Sequence, residues 1–120
     1  MKYICLGYYD KSKFEAMTES ERNRLFDTCF EYDDHLRANG HWGGGEALQS
    51  PETALTLSWK NGKVATTDGP YAETKEQLGG YFLLECKDLD EAIKWASKIP
   101  HAAECAVEVR PIMAMGQAAS

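Results

Sequence analysis

The sequence predicts an α+β fold of the ferredoxin-like type, with one antiparallel sheet that carries two helices on the same face. Three observations predict it: a strand–helix–strand pattern at each end of the chain, and an Asn61-Gly62 hairpin signal between them. With 120 residues, 43% of them hydrophobic, the chain fits a single compact domain over residues 1–120. We therefore expect the order strand, helix, strand, hairpin, strand, helix, strand.

The first unit begins with the apolar and aromatic stretch KYICLGYY at 2–9, which is typical of a strand. Thr18 and Glu21 form a capping box that predicts the start of a helix, and Gly40 provides its C-terminal stop. Apolar residues recur in this helix at spacings of three and four. They predict one buried stripe, made of Leu25, Phe26, Cys29, Phe30 and Leu36.

The middle of the chain contributes the hairpin. The glycine-rich segment HWGGGEALQS at 41–50 predicts a short irregular strand or a loop. TALTLSWK and KVATT then flank Asn61-Gly62, the dipeptide that favours a tight turn between two strands. GGYFLLECK at 79–87 is the next predicted strand.

The second helix and the last strand complete the sheet. Asp88 and Glu91 repeat the capping pattern, and Pro100 is expected to end the helix. CAVEVRPIM at 105–113 is the last strand, and Pro111 predicts an edge position because proline cannot donate to a neighbouring strand. The predicted buried face of the helix consists of Leu89, Ala92, Ile93, Ala96 and Ile99.

The composition narrows the range of partners. The formal net charge of −6 argues against nucleic acid, because binding phosphates needs a basic face. No apolar run reaches the length of a membrane-spanning helix, and the N-terminal residues lack the pattern of a signal peptide. We therefore expect a cytoplasmic protein that binds neither nucleic acid nor a membrane.

The cysteines predict neither a disulfide framework nor a metal centre. They lie far apart in apolar surroundings without a CxxC pair, which is typical of buried, reduced thiols. A zinc site built from Cys29, His35 or His41 has no support in the spacing, so no metal and no cofactor is predicted. The four cysteines are Cys5, Cys29, Cys86 and Cys105.

The segment DGPYAETKEQLGG at 68–80 is longer than a connection between two strands needs. Asp68 either caps the turn or presents its carboxylate at the mouth of a cleft as a base. Thr74 and Lys75 are predicted to face this cleft, with Lys75 holding an anionic group. The alternative for them is a solvated loop with weak ion pairs.

The glycine pair and the aromatic residues point to close packing. Gly79 and Gly80 permit a bulge or the close approach of a ligand or another backbone, and a dimer partner is the favoured neighbour. The second face of the sheet must also be covered. Together with the hairpin, Tyr3, Trp59 and Tyr81 suggest that a second copy covers it, which predicts a homodimer.

Further side chains are candidates for a ligand site. Tyr71 and Tyr81 either line a pocket or pack in the dimer core. Arg110 is either a clamp for a carboxylate or the partner in a salt bridge. Because HWGGGE lies on an irregular segment, His41 is a better catalytic candidate than His35, although both can be surface residues.

Asp33 follows Cys29 by one helical turn on the predicted buried stripe. A carboxylate on that face is costly unless it is paired. The favoured interpretation is that Asp33 emerges at the end of the helix.

DGPYAETKEQLGGYFLLE, DLDEAIKWASKIP and VEVRPIM together resemble the DGPF-domain group of the YCII-related superfamily, with Tyr71 in place of the phenylalanine of that name. The resemblance covers nearly the whole chain and implies a dimeric α/β-barrel of two ferredoxin-like protomers. It also implies lyase- or dehalogenase-like relatives that use a His–Asp pair, and a genetic association with extracytoplasmic-function sigma factors. The histidine of those relatives corresponds to a position near Cys29 here, which is a departure from their pattern.

Two functions follow from these observations. The first is binding or acid/base transformation of a small, anionic organic molecule, with Asp68 and His41 as the catalytic pair and Lys75 or Arg110 holding the anion. The second is a regulatory partner without turnover that contacts a sigma factor.

Overall fold

The computed structural model describes residues 1–99 and 106–114, and it confirms the predicted order of elements. Two short elements were not predicted: a helix at Lys11–Ala16 and a 3-10 turn at Pro51–Thr53. The strands are β1 (Lys2–Asp10), β2 (Trp42–Ala47), β3 (Leu55–Lys60), β4 (Lys63–Asp68), β5 (Glu76–Glu85) and β6 (Ala106–Pro111). The helices are α1 (Lys11–Ala16), α2 (Glu19–Ala38) and α3 (Leu89–Ala96).

Four strands form one antiparallel sheet in the order β2-β5-β1-β6, which is the strand order of a ferredoxin-like layer. The hairpin β3-β4 forms a separate two-stranded sheet. Its turn contains Asn61 in the left-handed region at φ 53°, as an Asn-Gly hairpin requires. The predicted α+β fold is confirmed, and β6 lies at the sheet edge as Pro111 indicated.

Side-chain caps fix where the helices begin. The Thr18 hydroxyl accepts a hydrogen bond from the Glu21 amide at 3.1 Å, and the Glu21 carboxylate accepts one from the Thr18 amide at 3.0 Å. Asp88 accepts from the Glu91 amide at 2.9 Å and begins α3 in the same way. Asp10 ends β1 and caps α1, which explains why a helix follows this strand without a loop.

The core lies between the sheet and the helices. Alternation along β1 and β5 turns every second side chain toward α2 and α3. Tyr3 is one of these, so the prediction that it helps to cover the open face of the sheet was wrong. The buried apolar residues are Tyr3, Cys5, Leu36, Leu84, Cys86, Ala92, Ala96 and Ile99.

The apolar stripe of α2 is less buried than its periodicity predicted. Leu36 is fully buried, but Phe26 and Phe30 are 44% and 64% exposed. The reason is that the sheet opposite these rings carries small residues, which leaves a cleft below the helix. In α3, Leu89 and Ile93 are likewise exposed rather than buried.

The C-terminal end of α3 also differs from the prediction. The helix ends at Ala96, and Ile99 is buried just beyond it. The predicted stop at Pro100 and the beginning of the last strand at Cys105 lie outside the described residues.

The glycine pair in β5 produces the predicted bulge, where the register with β1 shifts next to Gly7. Its close neighbours come from the same chain. A Cβ on Gly79 would lie 2.7 Å from the Tyr9 ring, and one on Gly80 would lie 2.9 Å from the Glu46 carbonyl oxygen. These glycines thus accommodate Tyr9 and Glu46 of the same chain, and the approach of a dimer partner stays a prediction.

Over the part of the chain that the structure describes, no helix combines the length and the apolar character that crossing a bilayer requires.

Candidate functional site

A cleft of about 520 Å³ lies between α2 and the four-stranded sheet, and we call it the α2 cleft. This volume is within the range of small-molecule sites. Its lining is mainly apolar, and it includes the charged side chains of α2 and β2. The residues that line it are Gly7, Phe26, Cys29, Phe30, Tyr32, Asp33, Asp34, Arg37, Trp42, Gly45, Glu46, Ala47, Gly79, Gly80, Tyr81, Phe82, Ile99 and Val107.

The floor of the α2 cleft is one row of small residues across the sheet. Gly80 of β5 pairs with Ala47 of β2 on one side and with Gly7 of β1 on the other. Gly7 in turn pairs with Val107 of β6. Gly7, in the middle of this row, has no side chain to project into the cleft, and Gly80 lets β2 lie close beside it, so the sequence of the strands shapes the cleft.

One face of α2 carries the chemistry of the site. Cys29, Asp33 and Arg37 follow one another at intervals of four residues, which aligns them along the helix above the floor. The Arg37 guanidinium donates to Asp34 Oδ1 at 2.7 Å and lies 4.7 Å from the centre of the Trp42 ring. A thiol, a carboxyl group and a guanidinium therefore face the same space.

Aromatic rings form the wall of the cleft on the β2 side. Trp42 and Phe82 are stacked, with ring centres 6.1 Å apart and planes within 15°. Tyr32 lines the cleft from α2, and its hydroxyl donates a hydrogen bond to the Trp95 carbonyl oxygen. Burial raises the pKa of Tyr32 to about 12, so this side chain is a neutral group near pH 7.

Asp33 is the carboxyl group of the cleft whose pKa is shifted. Burial raises the pKa of Asp33 and the nearby Asp34 adds to the rise, whereas Arg37 acts in the opposite direction. The side chain is half-buried and did not emerge at the helix end as favoured from the sequence. A carboxyl group held toward its neutral form in a cleft is suited to proton transfer.

A second depression lies over the first turns of α2, and it differs in character. It is lined by polar and charged side chains alone, which are Thr18, Glu19, Ser20, Asn23, Arg24 and Asp27. Without apolar walls it offers little contact area to an organic molecule. The α2 cleft is therefore the candidate site.

Of the residues proposed from the sequence as ligand-binding, Tyr81 borders the α2 cleft, although its pairing with Leu6 places its side chain on the face of the sheet opposite to Phe82. Tyr71 is 92% exposed, and Thr74 donates to the Glu76 carbonyl oxygen within the connection between β4 and β5. The Lys75 ammonium lies 3.7 Å from the buried carboxylate of Asp10, beside the start of α1. Arg110 pairs with Glu108 on β6. The roles of these side chains remain predictions.

The proposed catalytic pair is not brought together. His41 lies before β2, where its ring contacts the Glu85 carbonyl oxygen at 2.9 Å and the Trp95 ring at 4.5 Å between centres. Asp68 ends β4 in the separate hairpin sheet, paired with Leu55. In the described ranges no contact joins these two side chains, and neither lines the α2 cleft.

Sequence reasoning missed the combination of Cys29, Asp33 and Arg37 as a site. The spacing of four was visible, but it was interpreted as a buried stripe with a carboxylate at its end. The signal that points to a cleft is the pairing of glycines on neighbouring strands, which becomes apparent only when the register is known.

The fold and the site define an α+β protein with a cleft of small-molecule size. The chain belongs to the YCII-related family, because residues 1–116 match the YCII-related domain. An uncharacterized protein of Rhizobium meliloti (strain 1021) is 34% identical over 114 residues, which are 93% of this chain and 92% of that protein. These findings support the superfamily, and membership of the DGPF group stays a prediction.

A solved structure shares the fold. It is 5-chloro-2-hydroxyhydroquinone dehydrochlorinase from Burkholderia phenoliruptrix AC1100, in complex with 2,5-dihydroxybenzoquinone. The TM-score is 0.55 with 15% sequence identity, and 94% of each chain is covered. At this identity the likeness concerns the fold.

Proposed function

We propose that this protein binds a small, planar, anionic organic molecule in the α2 cleft and transfers a proton to or from it through Asp33. The observation that carries the proposal is a half-buried carboxyl group of raised pKa facing a cleft of about 520 Å³. A carboxyl group whose pKa moves toward neutrality serves as a general acid or base more readily than an exposed one.

The shape of the cleft favours a planar ligand. Its floor is a row of glycine, alanine and valine residues, and its wall is the stacked pair Trp42 and Phe82. Flat aromatic or quinonoid rings gain contact on both surfaces, since aromatic pairs prefer offset-stacked or edge-to-face arrangements. A bulky or branched ligand would lose this contact.

Arg37 favours a negative charge on the ligand. It lies one turn beyond Asp33, and its guanidinium is 4.7 Å from the Trp42 ring centre, at the edge of the aromatic wall. Its ion pair with Asp34 is exposed and therefore weak, so a carboxylate or phenolate in the cleft can compete for the guanidinium.

The reaction class that fits one proton-transferring group beside a bound planar acid is proton abstraction or elimination. The structural neighbour is described as a dehydrochlorinase and was solved with a dihydroxybenzoquinone, which is also a small planar acid. In such an elimination a proton moves from a ring hydroxyl to the carbon that bears chlorine. A base then removes a second hydroxyl proton while chloride leaves with the bonding electron pair, so that HCl is lost and a quinone forms. Asp33 would be that base. Cys29, one helical turn before Asp33, would border the ring of the ligand.

Binding can be tested with 2,5-dihydroxybenzoquinone as the probe, measured by calorimetry on the untagged protein. We expect saturable binding that Val107→Phe weakens at least tenfold, because a larger side chain in the floor row fills the cleft. Trp59→Phe is the matched aromatic control, since Trp59 lies on the hairpin outside the cleft. Equal affinity of the V107F variant and the wild type would contradict the site.

Proton transfer can be tested by chloride release from 5-chloro-2-hydroxyhydroquinone. We expect Asp33→Asn to abolish turnover while binding of the probe persists. Glu31→Gln is the control, because Glu31 is exposed on α2 and does not line the cleft. Asp68→Asn tests the pair proposed from the sequence. A loss of turnover in D68N with full activity in D33N would reverse the assignment.

The alternative function, a regulatory partner of an extracytoplasmic-function sigma factor, receives no support from the fold or from the relatives. The proposed function therefore rests on the α2 cleft.

A further inference from the structure

Three side chains with metal-ligating atoms converge at a point away from the α2 cleft. His41 precedes β2, Cys86 follows β5, and Glu91 lies in the first turn of α3. Their ligand atoms all lie within 4.8 Å of one another, and none of the three residues lines the cleft. We call this group the His41–Cys86–Glu91 cluster.

The distances within the cluster approach those of a coordination sphere. His41 Nδ1 lies 3.9 Å from Cys86 Sγ and 3.8 Å from Glu91 Oε1. A tetrahedral zinc ion with bond lengths of about 2.0–2.3 Å separates its ligand atoms by roughly 3.3–3.7 Å. A shift of a few tenths of an ångström would bring the two His41 distances into this range. The separation of Cys86 Sγ from Glu91 Oε1, which is within 4.8 Å, would have to close by up to about 1 Å as the side chains rotate.

Hydrogen bonds with backbone groups position two of the three ligand residues, His41 and Glu91. The His41 amide donates to the Leu36 carbonyl oxygen at 3.0 Å, and the His41 carbonyl oxygen accepts from the Glu85 amide at 2.8 Å. Glu91 Oε1 accepts from the Lys87 amide at 3.1 Å, which orients its carboxylate toward the sheet. Partners of this kind, one step removed from the ion, fix the direction of a metal ligand.

The surroundings of the cluster favour a cation. The carboxylates of Glu85 and Asp88 lie near Cys86 in addition to that of Glu91, and they add negative charge around the cluster. The Met1 ammonium, which pairs with Glu85, offsets part of this charge. The side chains of His41 and Glu91 are only 15% and 25% exposed, so a bound ion would be largely shielded from water.

We propose that the His41–Cys86–Glu91 cluster binds a tetrahedral transition-metal dication, with Zn²⁺ as the ion that its ligands suit. One imidazole, one thiolate and one carboxylate form a mixed set typical of zinc, and a water molecule would take the fourth position. Binding exchanges the contact of His41 Nδ1 with the Glu85 carbonyl oxygen for a bond to the metal. The ion would then link α3 to the sheet, beyond any role of the α2 cleft.

The test uses the untagged full chain, stripped of metal by a chelator and titrated with Zn²⁺ in competition with a chromophoric indicator. We expect one site per chain. His41→Ala, Glu91→Gln and Cys86→Ser should each weaken binding at least tenfold, since even the loss of an outer-shell partner costs about 10–100-fold. With Co²⁺ as the probe, the wild type should show a thiolate charge-transfer band that C86S lacks.

Two controls separate this site from other metal-binding groups. His35→Ala removes an imidazole that also packs against Trp95, and Glu31→Gln removes an exposed carboxylate of α2 outside the cluster. Both should bind Zn²⁺ within about twofold of the wild type, because neither residue belongs to the cluster. Zn²⁺ should also raise the Tm of the wild type but not that of H41A, because a ligand that binds only the native state stabilises it.

Two results would overturn the proposal. One is the absence of Zn²⁺ binding at stoichiometric concentration. The other is binding that H41A and E91Q leave unchanged, which would place the ion elsewhere. Because both residues are partly exposed, these variants decide the question even if C86S, at a buried position, lowers stability.

Discussion

The pKa values of Asp10 and Asp33 are shifted in opposite directions. This contrast separates a structural role from a chemical one. The hydroxyl of Ser12 donates to Asp10 and contributes most to lowering its pKa, with further help from the Lys13 and Ser12 amides and the Lys75 ammonium. Asp33 has no comparable set of donors, and burial raises its pKa. Asp10 is satisfied in its charged form, whereas Asp33 is poised to change its protonation state.

The raised pKa of Asp33 predicts a cost to stability at neutral pH. Because the folded state binds the proton more tightly than the unfolded state, stability falls as the pH rises from the unfolded value of 3.8 through the folded value. Asp33→Asn should therefore raise the Tm slightly at pH 7 and leave it unchanged well below pH 3.8. Thermal unfolding at several pH values checks this, with Glu31→Gln as the exposed control. A lower Tm of D33N at pH 7 would show that the carboxylate is stabilising.

The lowered pKa of Asp10 predicts the reverse dependence. The stability that the charged form contributes is present above the unfolded value of 3.8 and is lost as the pH falls through the folded value. Asp10→Ala should lower the Tm by several degrees at pH 7, because it removes the cap of α1 and the partner of Lys75. The difference from the wild type should shrink in acid. A difference that is constant from pH 7 to pH 2 would contradict the role of the charge.

At the scale of elements, close approach of β2 to β5 depends on glycine. A Cβ on Gly45 would lie 2.5 Å from Phe82 Cβ and 2.6 Å from the Tyr81 carbonyl oxygen. A Cβ on Gly43 would lie 3.1 Å from Leu83 Cβ and 3.2 Å from the Leu83 carbonyl oxygen, which is tight but tolerable. The strand that borders the cleft can therefore lie against β5 only because its middle residue has no side chain.

This difference predicts a ranking of two substitutions on the same strand. Gly45→Ala should reduce the free energy of unfolding by about 1–3 kcal/mol, because backbone atoms must move to admit the methyl group. Gly43→Ala, the matched control, should cost clearly less. Denaturant unfolding of both variants measures the ranking. An equal or larger loss for G43A would mean that the register of β2 differs from the one described.

The helices, strands and turns were predictable where signals within a few residues determine them, whereas the α2 cleft was not. The capping box at Thr18, the Asn61-Gly62 turn and the edge position of Pro111 each act within a few residues, and all three were confirmed. The α2 cleft depends on Gly7 lying opposite Gly80, a pairing between residues more than seventy positions apart. Periodicity marks a face of a helix as apolar, but it does not distinguish burial against the sheet from exposure to a cleft.

At the scale of the whole molecule, the hairpin leaves an apolar surface uncovered. Leu55, Leu57 and Trp59 alternate along β3 and point to one face, and Val64 lies opposite Trp59 on β4. All four side chains are 48–67% exposed. A cluster of this kind is unusual on a monomer and is typical of an interaction surface.

We expect this face of the hairpin to pack against a second copy of the chain in a homodimer, the assembly predicted from the sequence. Trp59→Glu places a charge in the middle of the apolar surface and should shift the protein to a monomer, because an unpaired buried charge is costly. Light scattering coupled to size-exclusion chromatography measures the mass. Thr67→Glu is the matched control, since Thr67 pairs with Thr56 and points to the opposite face of the same hairpin. A wild type that is monomeric at micromolar concentration would contradict this assembly, and so would a dimer that W59E leaves intact. Dissociation by T67E alone would place the interface on the other face of the hairpin.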